Sequence, residues 1–186
     1  NLNKTIMGLD MYLYKRNYVK NWDHSPDDKK HSIEVKRGGA VRDDIKPERI
    51  CYIVEELAYW RKFNALHGWF VNNCADGVDD CKDVYVGLEN LKEINDLLKR
   101  IQSVMDVSPI VTKVITGWKG EKESIEVYQC EDFIKEHLSP VKGCFFGSNE
   151  IDENFKNDVD ETIMIFDKLI DEIKDSDCTL YYRASW

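Results

Sequence analysis

An α+β fold, with a mostly antiparallel sheet packed against two or three substantial helices in a single domain, is what this 186-residue sequence predicts. Three observations carry the prediction. MGLDMYLYKR alternates with period two, Met7, Leu9, Met11 and Leu13 in one phase. Two later segments repeat their apolar residues at helical spacing, and two pairs of short apolar runs are joined by turn sequences. A hydrophobic content of 42% with 11% aromatics, in a chain of this length, is enough for one well-buried core.

The elements follow in order. The alternating start opens the sheet. Residues 20 to 32 form a polar loop around Pro26, and IEVKRGGAVRDDI reads as a hairpin about Gly38-Gly39. From Pro47 to Cys74 the chain reads as one long central helix, with proline at a first-turn position and no proline within. It stops in the acidic turn ADGVDDCKD, and DVYVG follows as a short strand. Leu91, Ile94, Leu98, Ile101 and Met105 mark an amphipathic helix that ends before Pro109. IVTKVITGW and SIEVYQC flank KGEKE as a second hairpin. Residues 130 to 138 form a short helix, and the aromatic density of GCFFG suggests a buried strand. Asp158 with Glu161 resembles a capping box, opening a helix whose apolar face is Ile163, Phe166, Leu169, Ile170 and Ile173. CTLYYRASW closes the core as a terminal strand.

Composition narrows the function. No stretch approaches the roughly 18 consecutive apolar residues of a membrane span, and NLNKTIMGLD lacks the apolar run of a signal peptide, so a soluble cytoplasmic protein with no membrane partner is expected. The six cysteines, at 51, 74, 81, 130, 144 and 178, include no CxxC pair and read as reduced, mostly buried thiols. Of the net charge of −9, residues 1 to 50 contribute +3 (11 Lys/Arg, 8 Asp/Glu) and residues 149 to 186 contribute −7 (4 against 11). Duplex DNA is therefore not an expected partner.

Three groups of residues are candidates for function. Within the expected long helix, Glu56, Asn64 and His67 fall in the middle of the apolar stripe at about 100° per residue. Asn64 and His67 are i, i+3 neighbours with Arg61 at the edge, a set that can grip an anion or carboxamide and supply a proton near neutral pH. The same residues also suit a buried polar network, since leaving such groups unpaired costs roughly 1–3 kcal/mol each. Asp76, Asp79, Asp80 and Asp83 crowd the following turn and are weak candidates for a divalent cation, although their spacing fails the EF-hand pattern and also fits a solvated loop. No other cofactor is implied. On the last helix, Asp167, Asp171 and Asp175 recur at i, i+4 and i+8 beside Glu172, forming an acidic line that can dock on a basic protein groove or simply face solvent. Gly147-Ser148 matches no phosphate-loop signature, and GxSxG and HExxH are absent.

Four stretches, in order, carry a resemblance: MGLDMYL, AYWRKFNALHGWFVNN with its following DGVDDC, GCFFGSNEID and the ending LYYRASW. Together they resemble a family of small, largely uncharacterised proteins of bacteriophage and prophage genomes. Its members typically begin MGLDMYL, carry a YWRKxNxIHxWFV block and an FFGSxxYD block, and finish in a YYxxSW-like tail. Leu66 and Ile151 replace the usual isoleucine and tyrosine, and the six residues before Met7 read as an extension. The resemblance emphasises Tyr59, Trp60, Arg61, Asn64, His67, Trp69, Asp76, Asp79, Cys81, Phe146, Gly147, Ser148 and Asp152. It implies a phage setting inside an infected or lysogenic bacterium.

Two functional expectations follow. One is an accessory protein that binds and inhibits a host defence protein, for example an anti-CRISPR acting on a Cas9-type nuclease or its guide RNA complex, with the acidic line of the last helix competing in a basic channel. The other is a small-ligand binder or metal-assisted hydrolase working through Arg61, Asn64 and His67, aided by Asp76, Asp79 or Asp152 and a divalent cation.

Overall fold

The computed structural model, described over residues 8–117, 119–143, 145–176 and 178–186, has the expected α+β architecture. In chain order the elements are β1 (Asp10–Tyr18), β2 (Lys36–Arg37), β3 (Ala40–Val41), β4 (Tyr52–Arg61), α1 (Asn64–Cys74), β5 (Val84–Val86), α2 (Leu88–Val107), β6 (Ile110–Thr116), β7 (Lys122–Tyr128), α3 (Glu131–His137), α4 (Glu153–Ile173) and β8 (Thr179–Ser185). Met7 and Cys144, assigned above to a strand and to the free thiols, lie outside the described residues. Among the described residues, no helix is long and apolar enough to cross a membrane.

A four-stranded antiparallel sheet in the order β4-β1-β8-β5 organises the chain. Leu9, Met11 and Leu13 are fully buried, as the alternation predicts, and the same inner face receives Ala58 and Trp60 from β4 and Leu180, Tyr182 and Ala184 from β8. Helices α1, α2 and α4 cover that face. α2 and α4 run antiparallel: Asn95 and Lys99 bond Asp167, Gln102 bonds Asp160, and Lys156 pairs with Asp106. α4 docks on the sheet through Trp60, whose indole N–H donates to Thr162 Oγ1 at 3.0 Å and whose ring meets Phe166 edge-on. Phe70 of α1 stacks on Tyr182 with centroids 4.3 Å apart.

Both hairpins, the strand at residues 84–86, the two helices of clear periodicity and the terminal strand form as the sequence predicts. Three assignments need correction. The helix expected from Pro47 to Cys74 is a 3-10 turn at Pro47–Arg49, then β4, then α1. Tyr-Ile-Val and the later aromatics favour extended backbone, and pairing along all of β1 outweighs the helical leaning of Glu-Glu-Leu-Ala. An extra residue, Leu57, bulges opposite Leu13/Tyr14 and breaks the alternation that would have exposed the strand. The strand expected at GCFFG does not form over its described residues, because Phe145 (φ 65°) and Gly147 (φ 97°) turn left-handed. Finally, α4 begins before Asp158: Asp152 is the N-cap and accepts from Phe155 N at 3.0 Å.

Thr162→Val keeps the shape of the side chain and leaves the buried Trp60 N–H without an acceptor. It is expected to lower stability by about 1–3 kcal/mol, read as a lower urea midpoint at unchanged slope.

Candidate functional site

Asn64 and His67 occupy the first turn of α1, and both are sealed, at 3% and 1% exposure. The Asn64 amide donates to Phe146 O (3.2 Å), Ser148 O (2.9 Å) and Asn149 Oδ1 (3.3 Å), so it clamps the loop that follows Gly143. His67 is bonded at both ring nitrogens, Nδ1 to Tyr182 Oη at 2.8 Å and Nε2 to Asp79 Oδ2 at 2.9 Å. Burial pushes Tyr182 far above the ordinary phenol range, with the Asp79 and Cys81 charges adding to the shift. The Asp79 carboxylate can only accept, so Nε2–H donates to it, and in the neutral ring Nδ1 then accepts from the Tyr182 hydroxyl. The other Asp79 oxygen accepts from Trp186 Nε1 at 3.1 Å. This Tyr-His-Asp-Trp chain ties the C-terminal strand to α1 and to the acidic turn. The hydroxyl at its head is inside the core, and the imidazole has no free nitrogen for a substrate. Glu56 is on β4, exposed, and takes no part.

The acidic turn disperses its carboxylates. Asp79 bonds His67, Asp80 pairs with Lys82, and Asp83 pairs with Arg16 and Arg183. Asp76 takes a left-handed turn position at φ 52°. Among the described residues, no three His, Cys, Asp or Glu side chains converge as metal ligands. The acidic line on α4 also divides. Asp167 accepts from Lys99 and Asn95 of α2, and those two bonds hold its carboxyl below the usual range. Asp171 pairs with Lys174, while Glu172 and Asp175 are exposed. Lys92, Lys99 and Lys174 stand among Asp96, Asp167 and Asp171 there, so the surface has mixed sign.

Arg61 lies outside the buried network. Its Nη1 pairs with Asp10 at 3.3 Å, and it borders a cleft of about 260 Å³ with Lys62, Asn64, Ser148, Asp152 and Asp158. Lys62 has φ 64°, and a Cβ on Gly147 would sit 3.0 Å from Lys62 Cβ and 3.1 Å from its carbonyl oxygen. Glycine is needed for that approach and for its own φ of 97°. Asp158 is pushed up to about 6 by burial, and then by the Glu161 and Asp152 charges.

The feature that the sequence reading missed is the outer face of the sheet. With the register of β1 against β4 and β8, the phase opposite the core brings Tyr12, Tyr14 and Tyr18 together with Tyr52 and Tyr59 on one side and Tyr181 on the other, while Tyr85 faces Tyr181 from β5. Seven of the nine tyrosines in the chain are on this face, and Tyr128 and Tyr182 are the others. Tyr12 stacks on Tyr14 (5.7 Å) and meets Tyr59 (5.2 Å), and Tyr18 meets Tyr52 edge-on. The Arg16 guanidinium lies 4.1 Å over the Tyr181 ring. Each arginine here has a carboxylate: Asp83 for Arg16 and Arg183, Asp10 for Arg61. Tyr59, Tyr52 and Tyr85 remain 45%, 55% and 62% exposed. The signal was in DMYLYKRNY, where the phase opposite Met-Leu holds three tyrosines alongside Asp10 and Arg16, more aromatic than an ordinary solvated face.

No protein-family model, curated protein or solved structure matches the chain.

Two outcomes follow from this geometry. His67→Ala and Asn64→Ala should each lower stability by about 2–3 kcal/mol, because each strands buried partners, and thermal melts beside the parent measure the loss. Asp158 binds its proton more tightly folded than unfolded, so its contribution is present below about pH 4 and lost as the pH rises towards 6. Asp158→Asn should therefore raise the melting temperature at pH 7 by about 2–4 °C, allowing for screening at a partly exposed site, and should have no such effect at pH 4.

Proposed function

We propose that this protein is a binding factor that docks on another protein through the tyrosine face of its sheet. The observation that carries the reading is the concentration of seven tyrosines and three arginines on an uncovered sheet surface, opposite the helices. Tyrosine and arginine dominate the energetics of protein interfaces, because they combine large contact area with a polar tip and lose little rotamer freedom on binding. Arg16, Arg61 and Arg183 are balanced by Asp10, Glu56 and Asp83, so the face offers stacking and hydrogen bonds with little net field. That favours a protein partner over nucleic acid, which needs unpaired cations for its phosphates. The phage resemblance supports a host defence protein as the partner, with a Cas9-type nuclease as the first to test. The enzyme reading loses its support with His67 paired at both nitrogens.

The test is binding of the purified protein to a panel of defence nucleases, with plasmid-interference assays alongside. One member should bind and be inhibited. Tyr59→Ala and Tyr181→Ala should weaken that complex by about 30-fold or more, on the scale of interface hot spots. Asp171→Lys with Asp175→Lys should leave it unchanged. No complex and no protection across the panel, or tyrosine variants that bind like the parent, overturns the proposal.

A further inference from the structure

The free edge of β4 carries a second association surface, independent of what binds the tyrosine face. β4 ends the sheet, and among the described residues its only strand partner is β1. An uncovered edge is a row of unpaired N–H and C=O groups that templates another strand unless proline, lysine or a bulge blunts it. Residues 52 to 56, Tyr-Ile-Val-Glu-Glu, contain no proline or lysine, pair regularly with β1 and are all exposed, and the bulge comes only at Leu57.

The hydrogen-bond phase decides which groups are free. Val19 N donates to Cys51 O at 3.0 Å, so 19 and 51, which continue the register of Tyr18 with Tyr52, are a directly bonded pair. Bonded and non-bonded pairs alternate in an antiparallel ladder. Asn17 with Ile53 and Lys15 with Glu55 are therefore bonded, and the main-chain groups of Tyr52, Val54 and Glu56 point away from β1. The side chains of these three residues lie on the tyrosine face, in the phase of Tyr18, Arg16 and Tyr14.

We infer that a second copy of this chain pairs with that edge, antiparallel about a two-fold axis perpendicular to the sheet at Val54. That axis sets Val54 opposite its own copy, Tyr52 opposite Glu56 and Ile53 opposite Glu55. Three facing pairs then exchange two bonds each, six in all. A two-fold at Glu55 opposes like charges, and one at Ile53 closes only two such pairs, so Val54 gives the longest ladder free of repulsion. Glu55 already accepts from Asn17 and pairs with Lys15 of its own copy, and these bonds hold its carboxyl low. Glu56 gains a tyrosine ring and hydroxyl beside it. The pairing makes one eight-stranded sheet, in which the two tyrosine faces are continuous across Val54 and Tyr52.

The test is the mass of the full chain by light scattering and sedimentation over a concentration series. The expected species is twice 21.8 kDa, and Val54→Lys, which sets two lysines opposite each other, should weaken it by about tenfold or more with an unchanged melting temperature. Val54→Cys places its sulfur within disulfide reach of its own copy, since paired Cα atoms are about 5.5 Å apart. Oxidation should cross-link it quantitatively, while Met164→Cys, on the exposed side of α4, should not cross-link. A parent that stays monomeric throughout, or a dimer that Val54→Lys leaves intact, overturns the inference. A monomer that still binds a defence nuclease through Tyr59 and Tyr181 would sink this pairing alone and leave the proposed function standing.

Discussion

Two polar side chains at the start of α1 set the terms for everything around them. Once Asn64 and His67 are inside the core, the Asn64 amide N–H groups and both His67 ring nitrogens are met by protein. The partners come from segments far apart in the chain: the loop at 146–149, Asp79 in the turn after α1, and Tyr182 near the C-terminus. A displaced Tyr182 would strand the imidazole, and a displaced loop would strand the amide. The network selects one arrangement of β8, α1 and the connecting loop from the many that apolar packing alone permits. It also explains why these residues stand out in sequence without forming a reactive centre.

While Asn64 and His67 are engaged inside the core, the two faces of the sheet are divided by the pleat of β1. Alternate residues of that strand face the helices through Met11 and Leu13 and face outward through Tyr12 and Tyr14. A solvated sheet face is normally polar, and a covered one aliphatic. Tyrosine satisfies both conditions, tolerating water through its hydroxyl and burial through its ring. Pairing each arginine with Asp10 or Asp83 fixes its orientation before contact, which lowers the ordering cost of binding.

Much of the fold was legible from periodicity and turn chemistry, because α2, α4 and β1 bury one clear phase each and the two hairpins are marked by their turn sequences. β4 was not. As an edge strand it exposes Tyr52, Ile53 and Val54 on both sides, so no buried phase exists there to be seen, and the Leu57 bulge resets the phase before Ala58 and Trp60 enter the core. Joined to a true helix only two residues later, it read as a continuation of that helix. The polar pair Asn64 and His67 was legible as an anomaly, and a buried network was one of its two readings. Their partners were not, since Tyr182 and Ser148 are brought in by tertiary packing. The tyrosine face was missed because its signal is the opposite phase of a strand already accounted for by its core side. The acidic line on α4 was legible as helical spacing, but that Lys99 of a neighbouring helix meets Asp167 was not, because that pairing is brought about by tertiary packing.

The charge distribution then acquires a different meaning. A net charge of −9 makes copies of the chain repel at long range, and on the tyrosine face and the β4 edge charge is cancelled locally, by Asp83 between two arginines and by Lys15 beside Glu55. Ion pairs elsewhere, such as Asp167 with Lys99 and Glu131 with Lys113, give the rest of the surface mixed sign, and exposed charges are screened beyond roughly 8 Å at physiological ionic strength. The proposed association through the sheet therefore rests on its aromatic side chains and free edge more than on an electrostatic contrast with the surroundings. The same arrangement explains how an uncovered strand edge is tolerated: one register about Val54 avoids like charges over five residues, while the register centred on Glu55 sets two carboxylates face to face. Specificity at this edge therefore comes from the order of five side chains, Tyr-Ile-Val-Glu-Glu, and depends little on the backbone groups that any strand would offer.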